Sequence, residues 1–414
     1  MLYKEADLKE TRIGKIPEDW KLVRLVDVAD YINGYAFSPK DWKTEGLPII
    51  RIQNLNNPNA DFNYFDGKID NRYLVGNGDL LFAWSASIGV YVWNRGDAVL
   101  NQHIFKVILR KGIDKLYLYY ALFLAIEQLK KRVHGSTMKH FKRGALKTTF
   151  IPLQSLEEQK SIAEVLSVVD LAIAKVDEVI AKTERLKKGL MQELLTKGIG
   201  HKEFKDTKIG KTPKEWQVVR LRDVIFEAKS GFASGKRDEN GILQLRMDNI
   251  KTEGWINTEA GVKVPIPQNV ENYILKPGDV IFNNTNSVKL IGKTAIFRGE
   301  FVRCVYSNHL TRMRVNPNKV TAEWVLYVLV KKWQQGIFRA ICHRHVHQAG
   351  INSNDLVNLR IPLPSLSEQK KIDEILFTVD KKLKLERKEK AKLKRIKQGL
   401  MDLLLTGKIR VKVD

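Results

Sequence analysis

The chain has 414 residues, of which 43% are hydrophobic, enough to build the cores of two domains of ordinary size. Lysine and arginine number 71 against 47 aspartates and glutamates, and the formal net charge of +24 favours a polyanion as partner. Two cysteines are too few for a disulfide framework or a cysteine-built zinc site, and no apolar run is long enough to cross a bilayer. With no N-terminal signal pattern and no basic amphipathic helix with aromatic anchors, we expect a cytoplasmic protein that binds nucleic acid and no membrane.

The first element along the chain is an entry segment from Thr11 to Asp30, which begins TRIGKIPEDWKLVRL. Near the middle, Thr207 to Phe226 begins TKIGKTPKEWQVVRL, so the segment occurs twice. Its Gly-Lys-x-Pro-x-x-Trp core predicts a turn followed by a strand or short helix, with Trp20 packed. The repeat indicates a tandem duplication, in which each half runs from an entry segment through a variable domain to a long helix.

A mixed domain follows each entry segment. Within residues 31–150 we predict strands and one aromatic-rich helix, at Leu47–Ile52, Gly78–Phe82, Val99–Leu109 and Leu116–Leu129. The same order recurs within residues 232–360, at Ile242–Ile250, Gly278–Phe282 and Ala322–Trp333. The loop residues differ between the two halves. A retained scaffold with different loops is expected for two domains that recognise two different nucleic-acid sequences.

The most extended repeat is Ile151–Ile199, which aligns without a gap to Ile361–Ile409 at a shift of 210 residues, with roughly half of the positions identical. Ser155 and Ser365 can cap two helix N-termini, and a glutamate three residues later completes a capping-box pattern in each. At 1.5 Å per residue, about 40 helical residues form a rod of roughly 60 Å. The helices are predicted to end at the glycines of each copy, Gly198 and Gly407.

Apolar residues recur along both copies at steps of three and four, which is the pattern of a coiled-coil seam. These seam residues are Ile162, Leu166, Val169, Ile173, Val176, Ile180, Ile372, Leu376, Val379 and Leu383. We predict that the two helices pair as a coiled coil, although Glu386 and Lys390 interrupt the second seam. Two unrelated surface helices on one core are the alternative. The second entry segment directly follows the first long helix. If the first entry segment has the same neighbour, that neighbour is the second long helix at the other end of the chain. We therefore expect the C-terminal segment to meet the N-terminal one.

No active-site motif is evident in the sequence. A methyltransferase acting on adenine would need a glycine-rich adenosylmethionine loop and an Asn-Pro-Pro-aromatic segment, and the sequence has neither. Gly292-Lys293-Thr294 matches only the end of a phosphate loop, because Ser287 stands where the first glycine is needed. Successive residues of an extended segment point to opposite faces, so Cys342 would face away from the three histidines, and the aligned stretch of the first half carries only His140. We therefore favour a structural or DNA-facing role over a metal site. An enzyme with an unrecognised motif and a general coiled-coil assembly scaffold stay open as alternatives.

DNA binding would use basic groups for the phosphates, and amide, hydroxyl, imidazole or guanidinium groups for the base edges. The candidates in the first half are Trp84, Ser85, Ser87, Lys139, His140, Lys142 and Arg143. The candidates in the second half are Arg246, Asn283, Asn284, Asn286, Lys293, His343, Arg344, His345 and Gln348. An ordinary solvated loop residue is the alternative for each. The asparagine-rich run after the strand ending near residue 282 is the best candidate, because strand ends present loops on one rim.

The segments IPLQSLEEQ and IPLPSLSEQ, the endings GLMQELLTKG and GLMDLLLTGK, and the entries IGKIPEDW and IGKTPKEW resemble the specificity subunit (HsdS) of type I restriction–modification systems. The resemblance covers essentially the whole chain. It implies an α+β fold with two mixed α/β target recognition domains separated by two long antiparallel coiled-coil helices, as a pseudo-twofold tandem repeat. The recognition domains would be residues 1–150 and 201–360, and the helical spacers residues 151–200 and 361–414.

The resemblance also implies a function. Each recognition domain would bind one half of a bipartite double-stranded DNA target, and the coiled coil would set the gap between the half-sites and dock two modification subunits. Methylation and cleavage would belong to those modification subunits and to restriction subunits, which would use adenosylmethionine, ATP and magnesium. This chain would then be no enzyme, and it would carry no cofactor and no metal of its own. The family has no fixed motif for base contacts, so the candidate residues rest on the sequence alone.

Overall fold

The residues described in this computed structural model are 2–85, 87–132, 143–344, 346 and 348–412. For residues 128–132 and 143 only the backbone is described. The chain divides into a first unit, residues 1–178 with 388–414, and a second unit, Val179–Arg387. The division falls inside both long helices, so each unit contains a part of each. Among the described residues, no helix is both long and apolar enough to span a membrane.

The first unit contains the strands of the first mixed domain and those beside its helices. They are β1 (Leu2–Lys4), β2 (Leu8–Thr11), β3 (Gly14–Pro17), β4 (Lys21–Arg24), β5 (Ala29–Asn33), β6 (Leu47–Ile50), β7 (Asn63–Phe65), β8 (Leu74–Val75), β9 (Leu80–Ala83), β10 (Gly89–Val92), β11 (Ala98–Leu100), β12 (Ile104–Leu109), β13 (Phe150–Leu153) and β28 (Ile409–Val411). One sheet has the antiparallel order β10-β9-β12-β5. The other has the order β7-β6-β11-β8, in which β6 and β11 are parallel.

The second unit repeats this topology. Its strands are β14 (Phe204–Thr207), β15 (Gly210–Pro213), β16 (Gln217–Arg220), β17 (Ile225–Ser230), β18 (Ile242–Leu245), β19 (Val262–Val264), β20 (Val280–Asn283), β21 (Thr285–Asn286), β22 (Thr294–Ile296), β23 (Cys304–Tyr306), β24 (Leu310–Val315), β25 (His343–Arg344), β26 (Ala349–Gly350) and β27 (Arg360–Leu363). The sheet order β22-β20-β24-β17 matches β10-β9-β12-β5, and β18 and β23 form the second parallel pair. This agreement confirms the predicted duplication of a mixed domain.

The described helices are α1 (Leu25–Val28), α2 (Ile52–Asn56), α3 (Lys115–Arg132), α4 (Leu156–Lys197), α5 (Ala322–Gln334), α6 (Ile337–Ile341), α7 (Ser353–Val357) and α8 (Leu366–Leu404). The helices predicted within the mixed domains are α3 and α5, and those predicted from the long repeat are α4 and α8. α3 covers one sheet of the first mixed domain, and α5 covers the equivalent sheet of the second. Phe82 and Phe105 pack with Tyr117 of α3, and Phe282 packs in the core that contains Trp324 of α5.

Two strands predicted as single long runs are shorter in the structure, because β6 ends at Ile50 and β18 ends at Leu245. In each case a buried asparagine, Asn54 or Asn249, accepts a hydrogen bond from the backbone N–H three residues earlier, which turns the chain. The run predicted at Val99–Leu109 is likewise divided between β11 and β12. There His103 adopts a positive φ of 77°, which interrupts the extended backbone.

Both entry tryptophans are buried, as predicted for Trp20. The Trp20 Nε1 atom donates to Glu158 Oε2 at 3.2 Å, and Trp216 Nε1 donates to Glu368 Oε2 at 2.9 Å. The serine three positions before each glutamate accepts its backbone N–H at 3.2 and 3.3 Å, which confirms the predicted N-caps. A capping box would also require each glutamate carboxylate to accept the backbone N–H of its serine. That part of the prediction is wrong, because each carboxylate accepts from the tryptophan of an entry segment instead.

α4 ends at Lys197, directly before the predicted Gly198, whereas α8 ends at Leu404, three residues before the predicted Gly407. Gly198 and Gly407 have φ of +67° and +72°, the left-handed conformation that commonly ends a helix. After Gly407, β28 pairs antiparallel with β1, and Arg410 of β28 lies 2.9 Å from both Glu5 and Glu158. This pairing confirms the expectation that the C-terminal segment meets the N-terminal one.

Within each unit, the parts of α4 and α8 pair antiparallel. Ion pairs between the two helices join Asp170 to Lys397 and Asp177 to Lys390 in the first unit, and Glu184 to Arg387 and Lys187 to Asp380 in the second. Residue numbers rise along α4 as they fall along α8, which establishes the antiparallel direction.

The predicted seam lies between the paired helices. Its buried members are Ile162, Leu166, Ile372, Leu376 and Leu383. Its half-buried members are Val169, Ile173, Val176, Ile180 and Val379. Lys390, where the second seam was expected to depart from the apolar pattern, forms an ion pair with Asp177 instead of an apolar contact. In α8 the apolar pattern therefore extends through Leu383 and is interrupted at Lys390.

Candidate nucleic-acid interface

Strand ends and loops of the second mixed domain meet along one edge. The ends of β17 and β20 lie beside the start of β24, and Ser307 N donates to Leu245 O at the end of β18. Phe232 N likewise donates to Tyr306 O at the end of β23. We use the name polar edge for the segments that these contacts and the pairing of β21, β26 and β25 bring together, which are residues 231–232, 246–248, 284–287, 307–309, 343–344 and 348–350.

Two of the predicted contact residues are structural members of this edge. Asn283 is fully buried, and its Nδ2 donates to the carbonyl oxygens of Thr285 and His309 at 2.9 and 3.0 Å. Asn284 is 8% exposed, and its Nδ2 donates to Asn308 O and to Thr311 Oγ1. Their amide donors are occupied inside the domain. Both asparagines therefore shape the edge from within, in contrast to the exposed contact role that the sequence suggested.

Lys293 is also directed into the domain. Its Nζ donates to Met247 O at 3.0 Å and to Ile250 O at 2.5 Å, and the residue is only 8% exposed. Burial lowers the pKa of the Lys293 ammonium from its ordinary value. The phosphate-facing role expected for this lysine does not fit such a position, because its charge is used to hold the loop after β18.

A second group of predicted residues forms a small three-stranded sheet on the polar edge. β26 pairs with β21 on one side and with β25 on the other. Ala349 is in register with Asn286 and also with Arg344, so Asn286 and Arg344 project from the same face. Two strand spacings separate them by roughly 10 Å. Arg344 and Gln348 are exposed, whereas Asn286 is half-buried and donates to Asn283 Oδ1.

The remaining candidates of the second half differ in their surroundings. Arg246 is half-buried, and its backbone N–H donates to Asn249 Oδ1. His343 is exposed, with Nε2 at 2.9 Å from Asp355 Oδ2 and 3.3 Å from Asn352 Nδ2. His345 lies outside the described residues. The described part of the Cys342–His347 segment thus places an imidazole beside one carboxylate.

In the first domain, the described candidates follow β9. Trp84 Nε1 donates to Asn33 Oδ1 at 3.0 Å, and its ring stacks on Phe105 with centroids 5.8 Å apart. Ser85 is 5% exposed and Ser87 is exposed. Trp84 and Ser85 therefore pack within the first domain, and Ser87 lies on its surface. The other predicted residues are outside the described side chains: Lys139, His140, Lys142 and Arg143.

In each half one glycine, which was not among the predicted site residues, positions a loop. A Cβ on Gly231 would lie 2.1 Å from Tyr306 O, and one on Gly34 would lie 2.2 Å from Asn101 O, so only glycine fits. The loop that starts at Gly231 contains the exposed cations Lys236 and Arg237. A Gly-aromatic pair directly after the first strand of both mixed domains was the signal that could have identified these loops.

Comparison with known proteins gives the same organisation. The family model for the type I restriction modification DNA specificity domain matches the chain twice, at residues 17–185 and 213–395. The crystal structure of a type I restriction–modification S subunit from M. genitalium has a similar fold, with a TM-score of 0.56 and 16% sequence identity. That comparison covers 93% of this chain and 96% of the other.

Curated relatives extend the match to nearly the whole sequence. The chain is 31% identical over 427 residues to the type I restriction enzyme MjaVIII specificity subunit of Methanocaldococcus jannaschii, covering 99% of this chain and 97% of the relative. It is 25% identical over 381 residues to the type I restriction enzyme EcoBI specificity subunit of Escherichia coli, covering 86% and 78%. The chain therefore belongs to the family of type I restriction–modification DNA specificity subunits, with two target recognition domains in tandem.

Proposed function

We propose that residues 1–150 and residues 201–360 each bind one half of a bipartite double-stranded DNA target. The observation that carries this proposal is the repetition of one sheet order, β10-β9-β12-β5 and β22-β20-β24-β17, beneath loops whose side chains differ. One scaffold with two sets of loops suits the recognition of two different half-sites. The formal net charge of +24 supports a DNA partner, because phosphate neutralisation dominates the affinity of such complexes.

In the second recognition domain, we assign base contacts to Arg344 and Gln348 and phosphate contacts to Lys236 and Arg237. All four side chains are exposed; Arg344 and Gln348 lie on the polar edge, and Lys236 and Arg237 lie in the loop that starts there at Gly231. A guanidinium can bind guanine through two hydrogen bonds, and an amide can bind adenine in the same way. In the first domain, Ser87 and the predicted residues between 139 and 143 would have the equivalent roles. Asn283, Asn284 and Lys293 would act indirectly, by shaping the loops.

The paired helices would set the gap between the half-sites and dock two modification subunits, and restriction subunits would complete the assembly in the cytoplasm. Adenosylmethionine, ATP and magnesium would be bound by those partners, so this chain would supply recognition and no catalysis. Family membership supports this division of work. So does the sequence, which contains neither a glycine-rich adenosylmethionine loop nor an Asn-Pro-Pro-aromatic segment.

The test is single-molecule mapping of methylated adenines in a host that carries this gene together with its modification gene. We expect one bipartite methylated motif that disappears when only this gene is deleted. A second strain with an inactivated modification gene controls for methylation from other sources and should lose the same motif. Persistence of the motif without this gene would show that specificity resides elsewhere.

A further inference from the structure

A polar cluster joins three helices in the first unit, where the side chains of Asp170 and Lys397 are 35% and 16% exposed. Tyr120 of α3 donates its hydroxyl to Asp170 of α4 at 2.8 Å, and the same carboxylate lies 2.6 Å from Lys397 Nζ of α8. The Lys397 ammonium also lies 5.2 Å from the centroid of the Tyr120 ring. Each of the three residues therefore contacts the other two, and the cluster connects the recognition-domain helix to both long helices.

The second unit contains the same cluster with the roles of the long helices exchanged. Tyr327 of α5 donates to Asp380 of α8 at 3.1 Å, and Lys187 of α4 forms an ion pair with that carboxylate. The side chains of Asp380 and Lys187 are 3% and 10% exposed. Burial raises the pKa of Asp380, and the Lys187 ammonium opposes that shift.

The internal repeat relates the two clusters. At the shift of 210 residues, Asp170 aligns with Asp380 and Lys187 aligns with Lys397. Between these aspartates and lysines, the helix sequences have diverged: none of the residues at 171–180 is identical to its counterpart at 381–390. The polar residues were thus retained in both copies while the intervening seam changed.

Stability alone does not account for the buried Lys187–Asp380 pair of the second unit. Desolvation of two buried charges largely cancels their attraction, so an apolar pair of similar volume is often equally stable or more stable. The best-attested effect of a polar residue in a coiled-coil seam is to select one register, because any other register leaves the charge buried without its partner. In this chain a tyrosine hydroxyl also donates to each aspartate, so the register of the two long helices is linked to the position of a recognition-domain helix.

We propose that the two Tyr–Asp–Lys clusters are positioning devices that fix the gap between the DNA half-sites. Each cluster holds α4 and α8 in one register and fixes the recognition-domain helix at one place along them. The six positioning residues are Tyr120, Asp170, Lys397, Tyr327, Asp380 and Lys187. This inference rests on the proposed function, since it concerns the gap within the proposed bipartite target.

The test uses the full chain assembled with its modification subunits, and the triple variant Lys187→Met, Asp380→Leu and Tyr327→Phe. The matched control is Glu184→Gln, which removes a far more exposed ion pair between the same helices and leaves Arg387 paired with Glu253 at 3.2 Å. Affinity is measured for DNA duplexes in which the gap is the preferred one, one base pair shorter or one base pair longer. We expect the triple variant to lose about tenfold in gap discrimination while still requiring both half-sites, and to be no less stable to heat. The control should discriminate as the wild type does.

The outcomes separate this inference from the function on which it rests. If the wild type prefers no bipartite site, the proposed function fails. If the wild type prefers one gap and the folded triple variant discriminates equally well, the clusters are merely structural. Should the triple variant not fold, the double variant Tyr120→Phe with Tyr327→Phe replaces it, because both ion pairs are kept. Reduced gap discrimination in that variant supports the positioning role, and unchanged discrimination overturns it.

Discussion

Glu158 and Glu368 occupy equivalent positions in the first turns of α4 and α8, and each connects a long helix to an entry segment. Each accepts a hydrogen bond from an entry tryptophan. A basic side chain completes each site: Arg410 lies 2.9 Å from Glu158, and the imidazole Nε2 of His201 lies 2.9 Å from Glu368. Sequence spacing predicted the glutamates as helix caps, but the partners of a carboxylate come from segments far away along the chain.

Arg344 is the residue of the polar edge best suited to a base contact. We expect Arg344→Ala to weaken binding by about 1–3 kcal/mol and to relax the preference at one base pair of one half-site. A binding titration against all four bases at each position measures both effects. If Arg344 contacts a phosphate instead, the loss will be uniform across sequences and the salt dependence will fall by about one charge.

The control for that variant is Arg303→Ala in the same domain. Arg303 is exposed and pairs with Glu271 at 2.7 Å, away from the polar edge. Both substitutions remove one positive charge, so general electrostatic attraction falls equally. Equal binding by the two variants would remove Arg344 from the contact surface.

Asp373 of α8 makes the second unit sensitive to pH. It is 7% exposed, and Thr321 Oγ1 donates to it at 2.5 Å. Burial raises the pKa of Asp373 from 3.8 to about 7. Because the folded state favours the protonated carboxyl, this contribution to stability is complete below the unfolded pKa and is lost as the pH rises through about 7.

We therefore expect Asp373→Asn to be more stable to heat than the wild type above pH 7, with a difference that shrinks toward pH 4. Each 1 kcal/mol should shift Tm by about 2–4 °C for a unit of this size. The neighbouring exposed carboxylate provides the control variant Glu374→Gln, which should follow the wild-type pH profile. A pH-independent difference for Asp373→Asn would contradict the assignment.

The two long helices show why an element can be predicted better than its contacts. The apolar steps of three and four identified the seam, and its buried members lie where the pattern placed them. The ion pairs were missed, because Lys187 and Lys397 stand at seam positions that an apolar pattern treats as interruptions. A charge in such a position can be interpreted only when its partner on the other helix is known.

Shortening both helices by one heptad tests their role in setting the gap. Removing residues 179–185 from α4 and 382–388 from α8 retains the ion pairs of Lys187 with Asp380 and of Asp177 with Lys390. Each helix becomes roughly 10 Å shorter. We expect the preferred gap to shrink by about three base pairs at 3.4 Å per pair, with the half-site sequences unchanged. A selection from random-gap DNA libraries measures this, and an unchanged preferred gap would contradict a spacer role.

At the scale of the whole molecule, the duplication could be predicted because it depends on sequence identity at a fixed shift. The sheet order β10-β9-β12-β5 and its copy follow from that duplication. The contact surface was predicted less well. Asn283 and Lys293 were placed at the surface, yet both are buried by loops that neighbour them only in the folded chain. Local sequence cannot tell whether a polar side chain after a strand turns inward or outward.

Exchange of one recognition domain tests the independence of the two halves. We expect replacement of residues 231–360 by the same region of another family member to change one half of the methylated motif. The other half should stay the same, because the first mixed domain and both long helices are untouched. The gap should also stay the same when the donor domain retains the tyrosine equivalent to Tyr327. Methylome mapping gives the result, and the reciprocal replacement of residues 31–150 is the matched control. A change in both halves would contradict the division.

Because β1 pairs with β28, the two ends of the described chain lie side by side, and the same fold is compatible with a different starting point along the gene. Residues 2–4 and 409–411 are adjacent strands of one unit, so a short linker could join them covalently. New termini could then open at Lys202, an exposed residue in the connection between α4 and β14. A circularly permuted gene should therefore encode the same fold, starting with what is now its second half. Evolution could have begun the reading frame at either entry segment.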